Sequence, residues 1–250
     1  MPKYYHGRGH GSGIVRCMHR LVLALVLVHS AWAEPMKVAV FVALCDNATQ
    51  GIQPVPKAIG DGDKPEANLY WGCTEGFGGC FRTSKTWKLQ RKETVADKRI
   101  FERVVYLNDA GTIEVTADAW RGSEIKACLT AFETALVSGN HDLCVYIGHN
   151  VLMDGPVDPP AAKAQKACDA IILCCMSESY FKDRLAKLGA RPVMLTTQLM
   201  YPGAFILRDA LTVWAKHGSF EEIRAAGAAA YAKNQKISLK AAKGVFAVLP

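Results

Sequence analysis

Two short apolar runs stand out in the hydrophobic pattern of the chain, Leu143-Cys144-Val145-Tyr146-Ile147-Gly148-His149 and Ala170-Ile171-Ile172-Leu173-Cys174-Cys175. Runs of this length, rich in β-branched residues and without polar alternation, predict strands buried on both faces, as parallel strands covered by helices are. Met36 to Leu44 predicts a third such strand and Pro192 to Thr197 a fourth. Weaker strand patterns at Arg103 to Leu107 and Thr112 to Ala117 flank the turn Asn108-Asp109-Ala110-Gly111.

Between these runs the period lengthens to that of a helix. Ile125, Leu129, Phe132 and Leu136 recur at i, i+4, i+7 and i+11 behind a candidate N-cap, Ser123, and the pattern ends near Gly139. A short Ala/Lys-rich helix is predicted after Pro159-Pro160. Phe181, Leu185 and Leu188 form the apolar stripe of a helix from about Ser177 to Leu188, closed by Gly189. Another helix runs through Leu207, Leu211 and Trp214, and Ser219 with Glu222 predicts a capping box for one more. Alternating strands and helices predict an α/β fold with a mainly parallel sheet. The polar stretch after the first strand, with Pro54, Pro56, Gly60, Gly62 and Pro65, is longer than ordinary connections and is a candidate functional loop. No internal repeat or low-complexity segment is visible.

The first 33 residues follow a different pattern. Lys3, Arg8, Arg16 and Arg20 with no acid, then Leu21 to Val28, then Ala31-Trp32-Ala33, make the basic region, apolar core and small-x-small site of a secretory signal peptide cleaved after Ala33. Met18 offers a second possible start. The apolar core is well short of the roughly 20 residues that span a bilayer, so no stable membrane insertion is expected after cleavage. Residues 34–250 are then expected to form one exported domain, secreted or periplasmic. Loss of the segment removes four of 30 basic residues and none of the 23 acidic ones, which reduces the net charge from +7 to +3. With no Lys/Arg run remaining, no nucleic-acid partner is expected.

Export also leaves eight of the nine cysteines. Cys128, Cys144 and Cys174 fall within apolar patterns, as small buried hydrophobes do. Cys73 and Cys80, in a Gly-rich stretch, are the candidate disulfide pair. A thiol nucleophile needs a base, and only three histidines remain. His141 precedes a strand and so lies at the wrong edge of the sheet, and His217 sits at a helix end. His149 ends a buried strand at the carboxyl edge, where sites form in open α/β sheets. Cys175 ends another buried strand, and the following helix, with Ser177 as N-cap, would bring its positive end toward the sulfur. Strand alternation turns Cys174 the opposite way. His149 and Cys175 are therefore the candidate catalytic dyad.

These residues resemble the clan CD cysteine peptidases (caspases, legumains, gingipains, separases and CHAT-type domains), in which one apolar strand ends in His-Gly and a second ends in a small residue and the nucleophilic Cys. The segment from Tyr180 to Thr197 is similar to the helix, Gly-Ala turn and strand after the CHAT-type nucleophile. Leu211 to Arg224 is similar to that family's closing helix, Gly turn and amphipathic helix. The resemblance covers about residues 141–232. It implies a caspase-like three-layer sandwich, with a mainly parallel central sheet and helices on both faces. It also implies a cysteine endopeptidase acting through an acyl-enzyme on a peptide or protein substrate, without a cofactor. The oxyanion would be held by the backbone N–H groups of Asn150 and Cys175. Asn150 stands where the family has Gly, and the interval from His149 to Cys175 is shorter than the family's.

Asp46 and Asp154, just past the first strand and His149, are candidate substrate-binding acids for a basic side chain, the plainer role of each being a solvated loop acid or helix cap. The segment Asn68-Leu69-Tyr70-Trp71-Gly72 lines the cleft or buries an aromatic pair. A second class of function is a secreted, catalytically silent α/β binding module on the same scaffold. No Cys-x-x-Cys or His-x-x-x-His spacing supports a metal site, and none is expected.

Overall fold

The structure is a computed structural model that describes residues 34–250; the predicted signal segment lies outside the described residues. Seven strands form one mixed sheet in the order β2-β3-β4-β1-β5-β6-β7: β1 (Met36–Ala43), β2 (Trp87–Glu93), β3 (Ile100–Asn108), β4 (Ile113–Trp120), β5 (Leu143–Ile147), β6 (Asp169–Leu173) and β7 (Arg191–Met194). From β4 through β1, β5 and β6 to β7 every pairing is parallel, and β3 and β2 extend the sheet as an antiparallel ribbon. The helices are α1 (Phe77–Arg82), α2 (Ile125–Val137), α3 (Ser177–Leu188), α4 (Ala204–Trp214), α5 (Phe220–Gln235) and α6 (Leu239–Lys243). The fold is α/β with a mostly parallel sheet. No helix of the described residues is long and apolar enough to cross a membrane.

Side-chain alternation along β1 divides the core in two. Val38, Val40 and Val42 join Phe77 of α1, Ile206 and Leu211 of α4 and Ala228 of α5. Ala39, Phe41 and Ala43 join Leu129 and Phe132 of α2 and Phe181 and Leu185 of α3. All five residues of β5 and all five of β6 are buried, as the uninterrupted apolar runs require. At about 1.5–3 kcal/mol for each large apolar side chain removed from water, these two strands outweigh any local preference for another conformation.

Most helices agree with the periodicity. The apolar stripe of α2 is buried at Ile125, Leu129, Phe132 and Leu136, α3 ends on Gly189 in the left-handed conformation, and the Ser219/Glu222 capping box is formed. Four details differ. No helix follows Pro159-Pro160: a stretch this short is too small to offset the cost of nucleation, and Ala164 N–H instead donates to the Leu188 carbonyl at the end of α3. Ser123 does not cap α2, because Gly122 is bonded to the Gly62 carbonyl and a 3₁₀ turn over Gly122–Glu124 carries the chain past it. Ser177 does not cap α3; Met176 takes the cap position in a left-handed conformation, with φ 52° and ψ 34°. Cys73 and Cys80 are both free thiols, the first directed at the Ala67 carbonyl and the second contacted by Arg208.

Candidate active site

The parallel register pairs Ile147 with Leu173, so β5 and β6 end side by side and deliver Gly148-His149 and Cys174-Cys175 to the same carboxyl edge. Chain direction opens a crevice there. After β1 the chain passes to the sheet face that α1 covers, whereas after β5 it passes Val151 on the face of α2 and α3. Divergence of this kind between neighbouring strands is what creates ligand crevices in open α/β sheets. A cavity of about 620 Å3 occupies the crevice, and both His149 and Cys175 line it. Cys174 is fully buried on the opposite side of the strand, and burial pushes its thiol pKa well up.

His149 is held from three sides. Gly148 lies so close to β1 that a Cβ on it would sit 3.1 Å from the Ala43 Cβ and carbonyl, which brings the end of β5 tight against its neighbour. The Tyr146 hydroxyl donates to the His149 carbonyl at 2.9 Å. The ring Nε2 lies 2.8 Å from Asp154 Oδ2, and the same carboxylate oxygen accepts from Gly51 N–H at 3.3 Å. An ionised carboxylate only accepts, so Nε2 carries the proton and Nδ1 of the neutral ring holds the lone pair. Nδ1 has no hydrogen-bond partner among the described residues.

Asn150 is fully buried at an ordinary extended backbone conformation, with φ −81° and ψ 90°, so the position makes no demand that only Gly meets. Its side chain does what Gly cannot: Nδ2 donates to the Cys175 carbonyl at 2.8 Å, and Oδ1 accepts from Leu152 N–H at 3.2 Å. The loop after His149 is thereby tied to the loop after β6. The backbone N–H groups of Asn150 and Cys175 donate to no acceptor among the described residues.

Cys175 is half-buried. Its Sγ accepts from Met200 N–H at 3.4 Å and is directed at the Met200 carbonyl at 3.6 Å; no hydrogen bond joins it to His149. The helix that follows offers it less than the expected dipole. Met176, Ser177 and Glu178 donate their N–H groups to the Gln198 carbonyl, the Thr196 hydroxyl and the Thr196 carbonyl. The positive end of a helix resides on unsatisfied N–H groups, and here the segment after β7 takes three of them. The Ser177 hydroxyl bonds the Ile172 carbonyl and Thr196 N–H, and so holds α3 to β6.

The two acids divide. Asp46 is buried with its carboxylate turned back on its own turn, where it accepts from Ala48 N–H at 3.0 Å and the Thr49 hydroxyl at 2.5 Å; it does not line the cavity. Asp154 is the partner of His149 and not a free acid facing substrate. The spacing of five residues between His149 and Asp154 across a strand end was the one sequence signal for this pairing. Leu69 and Tyr70 line the cavity, whereas Trp71 is buried against Phe77 and bonded to Glu102. Asn68 positions the segment by bonding both backbone groups of Cys45 and the N–H of Tyr70. Sequence reasoning missed Met200 altogether, because its contact to the sulfur is made by the backbone.

A cavity of about 670 Å3 opens at the opposite, amino edge of the sheet beside Asp142, Asp169, Arg191 and Trp214. Its buried Asp169 already accepts from Arg191 Nε and Nη2 and from Trp214 Nε1, so its carboxylate is satisfied within the fold. Comparison with known proteins finds no matching family model, no matching curated protein and no matching solved structure.

Proposed function

We propose that the chain is an exported, caspase-like cysteine peptidase whose dyad is His149 and Cys175. The observation that carries this reading is that the two side chains leave the ends of adjacent parallel strands and line one cavity, with the imidazole oriented by a carboxylate. The division of the core by β1 supports the three-layer arrangement that goes with it. The basic, apolar and small-residue pattern of residues 1–33 supports export.

In this reading His149 Nδ1 takes the Cys175 proton while Asp154 stabilises the ring proton on Nε2. The thiolate attacks the carbonyl carbon of the peptide, and the resulting oxyanion accepts from the N–H groups of Asn150 and Cys175. His149 then gives its proton to the departing amine, leaving a thioester on Cys175. Water, deprotonated by the same nitrogen, hydrolyses the thioester and restores the thiol. Reaching this state requires the sulfur to exchange its Met200 contacts for the imidazole.

One observation favours a second reading, a catalytically silent binding module: the hydrogen-bond partners of the sulfur are Met200 backbone groups and not His149. Alkylation separates the two. An activated thiol reacts with iodoacetamide at neutral pH faster than the same residue in urea-denatured protein, and the excess disappears in His149→Ala. If Cys175 labels no faster folded than denatured, the peptidase reading fails.

A further inference from the structure

Resting on the peptidase reading, we infer that this site selects an apolar side chain, of the size of Leu, Met or Phe, in the substrate residue beside the scissile bond. Ile52, Val55, Leu69, Met153, Leu199 and Tyr201 line the cavity together with Cys175, and Gln53 is the one amide side chain among the lining residues. No Asp, Glu, Lys or Arg lines it. The two acids nearest in sequence to the strand ends are both committed elsewhere, Asp46 to its own turn and Asp154 to His149 and Gly51. A lysine, arginine or aspartate side chain entering here would leave water without finding a charged partner, whereas an apolar side chain loses nothing by the transfer.

A second observation is independent of the wall's composition. Leu199 is 69% exposed and Met153 40% exposed, and both stand at this cavity. Large apolar side chains left in water around a concave apolar surface are what a complementary apolar group would cover. They come from different strand ends, Met153 from the loop after β5 and Leu199 from the loop after β7. The cavity volume of about 620 Å3 lies within the range of sites that enclose a ligand of several residues.

The test uses blocked hexapeptides identical except at one central position, which carries Leu, Met, Phe, Asn, Asp or Lys. Two readouts are taken: hydrolysis by the intact protein, and binding to Cys175→Ala by calorimetry. The Leu, Met and Phe peptides are expected to bind and to be cleaved about 10- to 100-fold better than the Asp and Lys peptides. Leu199→Asp, an exposed position whose change leaves the core intact, should reduce the advantage of Leu over Lys by about tenfold. Equal or tighter binding of the Asp or Lys peptide overturns the inference and leaves the peptidase reading standing, as does the absence of binding by any peptide that is nonetheless cleaved. Selective binding of the apolar peptides without hydrolysis of any, and without accelerated labelling of Cys175, sinks the peptidase reading while the pocket assignment survives. If no peptide is bound or cleaved at millimolar concentration, both fail.

Discussion

Asp154 Oδ2 sits 2.8 Å from His149 Nε2, within a loop that also receives the Gly51 N–H. This contact decides which ring nitrogen is engaged and leaves Nδ1 without a partner among the described residues. Asp154→Asn keeps the shape but offers an amide that can present its N–H to Nε2, which would leave Nδ1 protonated and unable to act as base. On the proposed peptidase mechanism, peptide hydrolysis is expected to fall by on the order of 100-fold or more in kcat with KM little changed. Steady-state kinetics across the pH range checks it; a kcat within twofold of the parent would show that the carboxylate does not set the tautomer.

The side-chain bonds of Asn150 predict an effect on stability. Asn150→Gly removes the donor to the Cys175 carbonyl and the acceptor for Leu152 N–H. Leaving these buried groups unpaired costs about 1–3 kcal/mol, to which the added backbone freedom of glycine contributes. Urea denaturation should show a lower midpoint at unchanged slope for both Asn150→Gly and Asn150→Ala, and an unchanged midpoint would mean that water replaces the amide fully.

Glu133 of α2 and Arg184 of α3 form a buried two-point ion pair, with the Glu133 side chain only 1% exposed. Arg184→Met strands a buried carboxylate and is expected to destabilise the fold by about 3–5 kcal/mol. Glu133→Leu combined with Arg184→Met should recover most of that loss, since a well-packed apolar pair replaces a buried ion pair at little cost. Equal destabilisation by the single and double variants would assign the effect to packing instead.

His141 gives the stability a pH dependence. Burial holds its pKa below the ordinary 6.5, the neighbouring Asp142 opposes this, and Lys37 adds to it; Nδ1 is buried without a partner. The unfolded chain therefore binds a proton more readily than the folded one, so this contribution is intact above about pH 6.5 and is lost as pH falls below it. His141→Gln should flatten the stability profile between about pH 7 and pH 5. Asp142 acts lower down: burial pushes its carboxyl up, but the Lys37 N–H and the Lys166 ammonium outweigh this and hold it below 3.8, so its contribution is lost only as pH falls through that region. An unchanged slope near pH 6 in His141→Gln would place the responsible group elsewhere.

What was legible in the sequence follows from how each element is stabilised. β5 and β6 are buried on both faces, so hydrophobicity alone marks them, and strand alternation separated Cys174 from Cys175. β2 was illegible because an edge strand buries one side chain, Trp87, and leaves a run that reads as solvated: Lys88-Leu89-Gln90-Arg91-Lys92. The partners of Ser177, Asp46 and Asp154 depend on which turns meet at the carboxyl edge, and local pattern carries no record of that. Asn150 shows the same limit, since nothing in the local pattern announces its side-chain bond to the Cys175 carbonyl.

The walls and groups of the cleft come from the ends of β1, β5, β6 and β7, through Gly51, His149, Cys175 and Met200. These positions span most of the described chain, and bonds between their backbones and side chains fix them only when all four strands are in place. Contacts so distant in sequence form late in folding, because each closes a long loop of chain. A nascent or partly folded molecule therefore has no cleft, and any hydrolytic capacity would begin only with completion of the sheet.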